Sequence, residues 1–172
     1  MSTYHHGDLP AALLKAAGKA LEQKGNAALS LRAAARRAGV SHNAPYRHFP
    51  DRQALLAALA TEGFAMLAER LRGQRGPELG LAYVRFALEH PQRFRLMFTG
   101  LAGDAAREAH GAVLDAFKAL PNPELAAAAA WSLMHGLAQL LLDGQFAAAN
   151  PEALAREILG AVRFAVAAQR SG

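Results

Sequence analysis

A short run near the N-terminus, residues 42–48, carries the side chains best suited to contact another molecule. It reads His-Asn-Ala-Pro-Tyr-Arg-His and therefore offers imidazole, amide, phenol and guanidinium groups in seven consecutive positions. These groups donate and accept hydrogen bonds, and almost nothing in the run can be buried as core. Because the residues on either side are suited to packing, we infer that this segment is kept for contacts outside the chain.

The charge of the chain is concentrated in the same region. Residues 1–52 contain eight Lys or Arg against three Asp or Glu, whereas residues 53–172 contain eleven of each sign. The whole excess of five positive charges therefore lies in the first third of the sequence. A basic head on a neutral body is typical of a phosphate-binding module joined to a partner domain, and a solvated basic face has the same composition.

Two short predicted helices hold the polar run. The first begins at a Ser30 cap and ends at Gly39, which can adopt the left-handed conformation. Ser41 is expected to cap the second helix, which ends before Pro50. Two helices joined by so tight a turn cross at a large angle, as in a DNA-binding helix-turn-helix. An ordinary helical hairpin is the alternative, and the polar composition of residues 42–48 favours DNA binding.

Several motifs follow one another here in a fixed order and spacing. They are Ser-Leu-Arg-x-x-Ala-x-x-Ala-Gly-Val-Ser at 30–41, Tyr-Arg-His-Phe at 46–49, Asp-Arg at 51–52 and Leu-Leu at 55–56. In these motifs the sequence over about residues 6–60 resembles the DNA-binding domain of the tetracycline-repressor (TetR) family. The resemblance implies a dimeric, all-helical transcription factor that binds double-stranded operator DNA.

The resemblance also implies roles for individual residues. Ser30 is expected at a phosphate, and the Tyr46 hydroxyl and His48 ring at phosphates beside the recognition helix. Residues 41–44 are expected nearest the base edges, where Asn43 is best suited to bidentate adenine readout. The predicted DNA-binding residues are Ser30, Arg32, Ser41, His42, Asn43, Ala44, Tyr46, Arg47, His48 and Arg52.

Two positions differ from what is common in the family. Arg52 stands where many members have lysine, and it supplies the same charge. Pro45 stands where an aliphatic residue is common, and proline lacks the N–H that would bond back toward Ser41. We therefore expect the recognition helix to begin irregularly.

The second part of the chain resembles one branch of the same family, named for a Trp-x-x-x-His-Gly (WHG) motif. Trp131, His135 and Gly136 supply that motif, and the segment 83–98 agrees with it.

The composition favours helix throughout, since alanine and leucine dominate and no alternation of period two is sustained. We predict an all-α fold of about nine helices. Its N-terminal three-helix helix-turn-helix domain covers residues 1–52, and a C-terminal helical ligand-binding and dimerisation domain covers 53–172. A helix over about 51–72, with Asp51 as its N-cap, connects the two, and later helices are predicted over 78–90, 91–99, 104–119, 123–147 and 152–169.

Two apolar helices of the second part are predicted to form a homodimer interface. Residues 131–142 are apolar around nearly the whole helix, and the last helix has an apolar stripe. Both stretches could fill a monomer core, but a helix-turn-helix that reads an operator usually needs a two-fold partner. The predicted interface residues are Leu137, Leu141, Ile158, Val162 and Val166.

The resemblance further implies a pocket for a small, largely apolar effector molecule. Large or adaptable side chains are available for it, although the same residues could be plain core. His135 is polar within an apolar helix, and we expect a hydrogen-bonded core residue rather than a metal ligand. The predicted pocket residues are Phe64, Phe94, Met97, Phe98, Trp131, Met134 and His135.

Other classes of function find less support. The sequence has no Gly-rich phosphate loop, no HExxH spacing and no cysteine, so neither an enzyme nor a metal or other cofactor is predicted. A sequence-indifferent nucleoid or RNA-binding helical protein is the alternative, but it predicts basic residues spread along the chain. We predict a ligand-responsive regulator, in the family's usual mode a repressor, that binds a palindromic operator as a dimer.

The expected location is the cytoplasm, without a membrane partner. No uninterrupted apolar run reaches the roughly 20 residues of a membrane span. The first residues also lack the basic and then apolar layout of a signal peptide.

Overall fold

The computed structural model describes residues 9–146 and 148–162, and all regular structure in these residues is helical. The predicted all-α fold is thereby confirmed. Three 3₁₀-helices cover Asn26–Ala28, Ala44–Arg47 and Gly103–Ala105. The eight α-helices are α1 Leu9–Lys24, α2 Leu31–Ala38, α3 Arg52–Leu71, α4 Gly76–Glu89, α5 Pro91–Met97, α6 Ala106–Phe117, α7 Pro123–Leu142 and α8 Pro151–Ala161.

The predicted helices map onto these elements one by one. The 3₁₀-helix Ala44–Arg47 stands where the recognition helix was predicted, and α3 is the predicted connecting helix. The predicted continuation of the last helix to about residue 169 lies outside the described residues.

Helix starts follow the capping residues of the sequence. The side chain of Ser30 accepts a hydrogen bond from the Ala33 N–H at 3.1 Å, and that of Asp51 accepts one from the Ala54 N–H at 2.8 Å. These caps satisfy N–H groups that have no partner inside the helix. The starts of α2 and α3 are therefore determined by residues next to the helix itself.

α7 ends five residues earlier than predicted, at Leu142. Gly144 adopts a φ of 67°, and the Gln145 N–H donates to the carbonyl of Leu140 at 2.9 Å. This bond, with glycine in the left-handed region, closes the helix end. The sequence places the next stop signal at Asn150-Pro151, but Gly144 terminates the helix before it.

The described residues group into two compact units. The first contains residues 9–63 and 90–103, and the second contains 64–89 and 104–162 without 147. The division falls inside α3, between Gly63 and Phe64.

The core of the first unit lies between α1, α2 and the first part of α3. Leu13, Leu21, Leu55 and Leu59 are fully buried there. Leu96 of α5 belongs to the same cluster, so this later segment completes a core that begins near the N-terminus.

A buried arginine fixes α5 within the first unit. The side chain of Arg93 is 8% exposed, and its Nη1 lies 2.6 Å from Glu62 Oε2 and 3.3 Å from the Leu59 carbonyl oxygen of α3. Glu22 of α1 accepts the backbone N–H groups of Gln92 and Arg93 at 3.1 and 3.0 Å. A carboxylate at the first turn of a helix satisfies free N–H groups and the positive end of the dipole.

Two glycines permit this close approach of α5. A Cβ on Gly18 of α1 would overlap the Arg93 guanidinium, and one on Gly63 of α3 would lie 2.7 Å from Met97 Sδ. Both contacts are within the first unit, and neither leaves room for a larger side chain without movement.

α4 is the central helix of the second unit. Its residues from Leu79 to Val84 are all buried, and α7 and α8 pack against it. Gly80 allows the approach of α8, since a Cβ there would lie 2.7 Å from Leu159 Cδ2. On the surface, Arg85 forms an ion pair with Glu152 of α8.

Candidate nucleic-acid interface

α2 has a buried face and a basic face. Leu31, Ala34 and Ala35 are buried, whereas the arginines of the helix are exposed. Small alanines on the buried face let α1 pack closely against α2. The basic face of α2 is thereby turned to solvent, as expected from apolar residues spaced i, i+3 and i+4 on the opposite face.

The turn after α2 is built on Gly39, as predicted. Gly39 has a φ of 70°, and the Val40 N–H donates to the Ala35 carbonyl at 3.0 Å, closing the helix end. A residue with a Cβ would be strained at this φ. The glycine therefore ends α2 and turns the chain toward residues 41–48.

The recognition segment is a single 3₁₀ turn rather than an α-helix. The Ala44 N–H donates to the Ser41 carbonyl at 3.0 Å, and the Tyr46 N–H donates to the Asn43 carbonyl at 3.3 Å. Pro45 has no N–H for an i→i−4 bond to Ser41, so the turn stays tight. The expected irregular start is confirmed.

The predicted cap at Ser41 is wrong. Asn43 occupies the N-cap position of the 3₁₀-helix, and no side-chain bond caps that helix. Ser41 contributes its carbonyl oxygen to the turn, two residues before the cap. Because Pro45 has no N–H, the bond to Ser41 that would begin an α-helix cannot form, and the 3₁₀-helix begins two residues later, with Asn43 as its N-cap.

Two buried residues anchor the recognition segment. Pro45 is buried, and Phe49 is 7% exposed within the core of the first unit. Between and before them the polar side chains remain in solvent, and Tyr46 is 47% exposed. The exposed members of the predicted DNA-binding set in this segment are Ser41, His42, Asn43, Tyr46, Arg47 and His48, and Ala44 is half-buried.

Arg52 is exposed, and it forms hydrogen bonds within the protein that the sequence did not predict. Its Nε donates to the Leu29 carbonyl at 2.9 Å, and its Nη2 donates to the carbonyl and side-chain oxygens of Asn26 at 2.7 and 2.8 Å. These bonds fix the turn that leads into the Ser30 cap. Its partners lie 23 and 26 residues away in sequence, and no local pattern announces such a contact.

The seven residues predicted to line an effector pocket belong to both units. Phe94 and Met97 are buried in the first unit, with the Phe94 ring 5.1 Å from that of Phe98. In the second unit, Phe64 and Met134 are buried, and Trp131 and His135 are half-buried.

Trp131 and His135, both in the second unit, contact the buried Tyr83. The Tyr83 hydroxyl lies 3.1 Å from His135 Nδ1, and the Trp131 ring meets the Tyr83 ring edge-on at 5.4 Å. Burial raises the pKa of the Tyr83 phenol, and it lowers the pKa of His135 because the imidazolium is poorly solvated there. His135 is therefore a hydrogen-bonded residue of this unit, as expected.

Acid is expected to destabilise the protein partly through His135. The unfolded chain binds this proton near the ordinary pKa of 6.5 and the folded chain binds it more weakly, so stability falls as the pH drops below about 6.5. His135→Asn, which keeps an acceptor near the position of Nδ1, should reduce this loss. Urea midpoints from pH 5 to 8 measure it, with His42→Asn as an exposed control. An identical pH dependence in His135→Asn would contradict the assignment.

The predicted dimer-interface residues differ in exposure. Leu137 and Leu141 are 4% and 8% exposed, so the chain itself covers them, whereas Ile158 and Val162 are half-buried. Val166 lies outside the described residues. Among the large apolar side chains of α7, Leu125 and Leu140 are the exposed ones, at 66% and 42%.

Two further properties concern membranes and metals. α7 is long and apolar enough to cross a membrane by length and composition alone, a test that core helices of soluble proteins also pass. Within the described part of the chain, no group of three or more His, Cys, Asp or Glu residues is arranged to hold a metal ion.

Comparison with known families matches both parts of the chain. Residues 13–59 match the family described as bacterial regulatory proteins, tetR family. Residues 77–162 match a family described as tetracyclin repressor-like, C-terminal domain. No curated protein matches the sequence significantly.

Solved structures are similar over most of the chain. A protein with unknown function from Rhodococcus sp. RHA1 is 32% identical, with a TM-score of 0.77 over 93% of this chain and 96% of that one. The putative regulatory protein SCO4313 is 29% identical, with a TM-score of 0.71 over 88% and 93%. TetR-Q116A from Acinetobacter baumannii AYE, solved with minocycline, is 19% identical, with a TM-score of 0.63 over 86% and 89%, and shows the shared fold.

Proposed function

Since the chain belongs to the tetracycline-repressor family and is a transcriptional regulator, we propose that it is a ligand-responsive repressor. In this proposal it binds a palindromic operator in the cytoplasm as a homodimer and catalyses no reaction. The observation that carries the DNA-binding part is the exposed polar turn at residues 41–48, anchored by Pro45 and Phe49 beside the basic face of α2.

The anchored turn suits DNA because it combines rigidity with exposed donors. Phosphate contacts need positively charged and hydroxyl groups held in a fixed register, and base contacts need a side chain that reaches an edge. Arg47, Tyr46 and His48 are proposed for phosphates. Asn43 is proposed for an adenine edge in the major groove, where an amide can form two hydrogen bonds. Arg52 is proposed to act mainly by fixing the turn before Ser30.

A repressor of this kind needs a two-fold partner. One 3₁₀ turn reaches only a few base pairs, so specificity requires two half-sites about one helical repeat apart. The surface proposed for the second copy is the part of α7 that carries its exposed large apolar side chains, Leu125 and Leu140.

The first experiment is a footprint on the DNA upstream of the chain's own gene. A protected palindrome is the expected result, and protection without a defined site would favour the sequence-indifferent alternative.

On the protected fragment, Asn43→Ala should reduce discrimination at one base position per half-site by about 1–3 kcal/mol. Tyr46→Phe should weaken binding to every sequence alike. A loss of specificity in both variants would show that the base-reading residue is misassigned.

Salt dependence tests the phosphate contacts separately. The logarithm of affinity falls by about 0.9 per phosphate neutralised for each unit of log salt. Arg47→Ala should therefore reduce the slope of log affinity against log salt concentration by about 0.9 for each subunit. Arg107→Ala on α6 removes an exposed positive charge outside the first unit and should leave this slope unchanged.

A further inference from the structure

A partly open cavity of about 120 Å³ lies in the second unit, between α4, α6, α7 and the end of α8. Gly76 and Pro77, which also line it, are exposed to solvent. Leu79, Phe117, Met134 and Leu159 form much of its wall. Met134 is the only one of the seven predicted pocket residues among those that line it. The cavity is therefore a different place from the one that the aromatic residues of the sequence suggested.

The lining of this cavity is chemically uniform. The ten described residues around it are glycine, proline, alanine or larger apolar residues, and none of these ten has a polar side chain. A charged or strongly polar guest would lose its hydration there without gaining a side-chain partner. An apolar guest gives up no favourable hydration on leaving water, and it restores the contacts that the cavity wall lacks.

Small residues leave this space unfilled. Ala130 of α7 is 3% exposed and contributes a single methyl group to the wall. A Cβ on Gly80 of α4 would lie only 2.7 Å from Leu159 Cδ2 of α8. These two helices are therefore already in close contact and cannot move closer together to fill the cavity.

We propose that this cavity binds a small neutral hydrocarbon-like molecule, such as a single ring or a short branched chain. A dry cavity of about 150 Å³ lined by Leu, Ile and Phe binds benzene, so the present volume suits a guest of about six heavy atoms. Binding depends only on the cavity, whereas a regulatory effect of the guest rests on the function proposed above.

Methionine methyl signals test the site in the unaltered protein. The chain has four methionines, and Met134 lines the cavity, whereas Met66 lies on α3 and Met97 on α5. Benzene added to the full chain with ¹³C-labelled methionine methyls should shift the Met134 signal, which Met134→Leu identifies by its loss. Shifts at Met66 or Met97 with Met134 unmoved would overturn the proposal, as would no shift at any methionine in benzene-saturated buffer.

A matched pair of substitutions tests the volume. Ala130→Leu should fill the cavity, whereas Ala129→Leu adds the same side chain at the exposed neighbouring position. At a benzene concentration ten times Kd, the folding equilibrium constant of wild type and Ala129→Leu should rise about elevenfold, and that of Ala130→Leu should not change. Equal stabilisation of all three proteins would overturn the site. Should Ala130→Leu not fold, Met134→Ala replaces it, because the enlarged cavity should then accept naphthalene.

The regulatory role is tested on the same samples. If the cavity is the effector site, benzene at ten times Kd should lower operator affinity in wild type and Ala129→Leu. Benzene binding with unchanged operator affinity would reject the regulatory role and leave the binding site in place. A protein that takes up benzene but protects no operator would instead reject the proposed function.

Discussion

Removing Glu62 is expected to destabilise the protein more than removing Arg93, although Glu62 is the more exposed partner. The carboxylate side chain is 39% exposed and the guanidinium side chain 8%. In Glu62→Met the buried cation loses its counter-ion and retains the Leu59 carbonyl, whereas in Arg93→Met water can solvate the carboxylate. Deleting one partner of a fully buried pair costs 3–5 kcal/mol, and exposure reduces this to about 2–3 for Glu62→Met and about 1–2 for Arg93→Met.

A double-mutant cycle in urea measures this asymmetry. The double variant should be more stable than Glu62→Met, because it no longer buries an unpaired charge. Glu69→Met removes a carboxylate from the exposed pair with Arg72, and it should change stability by less than about 0.5 kcal/mol. A larger loss for Arg93→Met than for Glu62→Met would show that packing of the arginine, rather than its charge, holds α5 in place.

Leu140→Glu is expected to give a folded monomer, whereas Leu141→Glu is expected to unfold the chain, although the two residues are neighbours. Leu140 is 42% exposed and Leu141 is 8% exposed. If the outer face of α7 contacts a second copy, Leu140→Glu gives a folded monomer. Its operator affinity then falls about 10²–10⁴-fold, because the two half-sites are no longer linked. Leu141→Glu buries a carboxylate within one chain and should unfold it at far lower urea.

Light scattering, circular dichroism and operator titration separate these outcomes. Leu140→Gln is the matched control for polarity without charge, and it should weaken the dimer less. A dimeric Leu140→Glu protein with wild-type operator affinity would place the interface elsewhere. A dimeric, fully folded Leu141→Glu protein would contradict the burial of that side chain.

Local interactions account for what the sequence predicted well. The caps at Ser30 and Asp51, the stop at Gly39 and the irregular turn at Pro45 each depend on residues within about five positions. Helix type and order follow from the same short-range rules. The family resemblance added the DNA-binding role, and the matches to both parts of the chain confirm membership, whereas the WHG branch stays a prediction.

Long-range contacts were not predictable from a single sequence. Arg93 meets Glu22 and Glu62 across 71 and 31 residues, and nothing near Arg93 indicates either partner. Exposure along α7 was also missed, because a helix that is apolar on every side does not show which side faces the core. The predicted pocket residues share a large or adaptable side chain, and side-chain size does not show which residues lie close together in the fold. The separate contacts of the DNA-binding residues stay predictions.

The first unit is assembled from two stretches of chain separated by 26 residues, and this restricts how its DNA-binding head can be exchanged. A chimera that joins residues 1–63 to the body of another regulator would omit α5. The Glu22 carboxylate would then lose both N–H partners, and Leu96 would leave the core exposed. A transplantable head must therefore include residues 90–103. Otherwise the acceptor protein must have a segment of its own that offers an arginine to Glu62 and fits against Gly18.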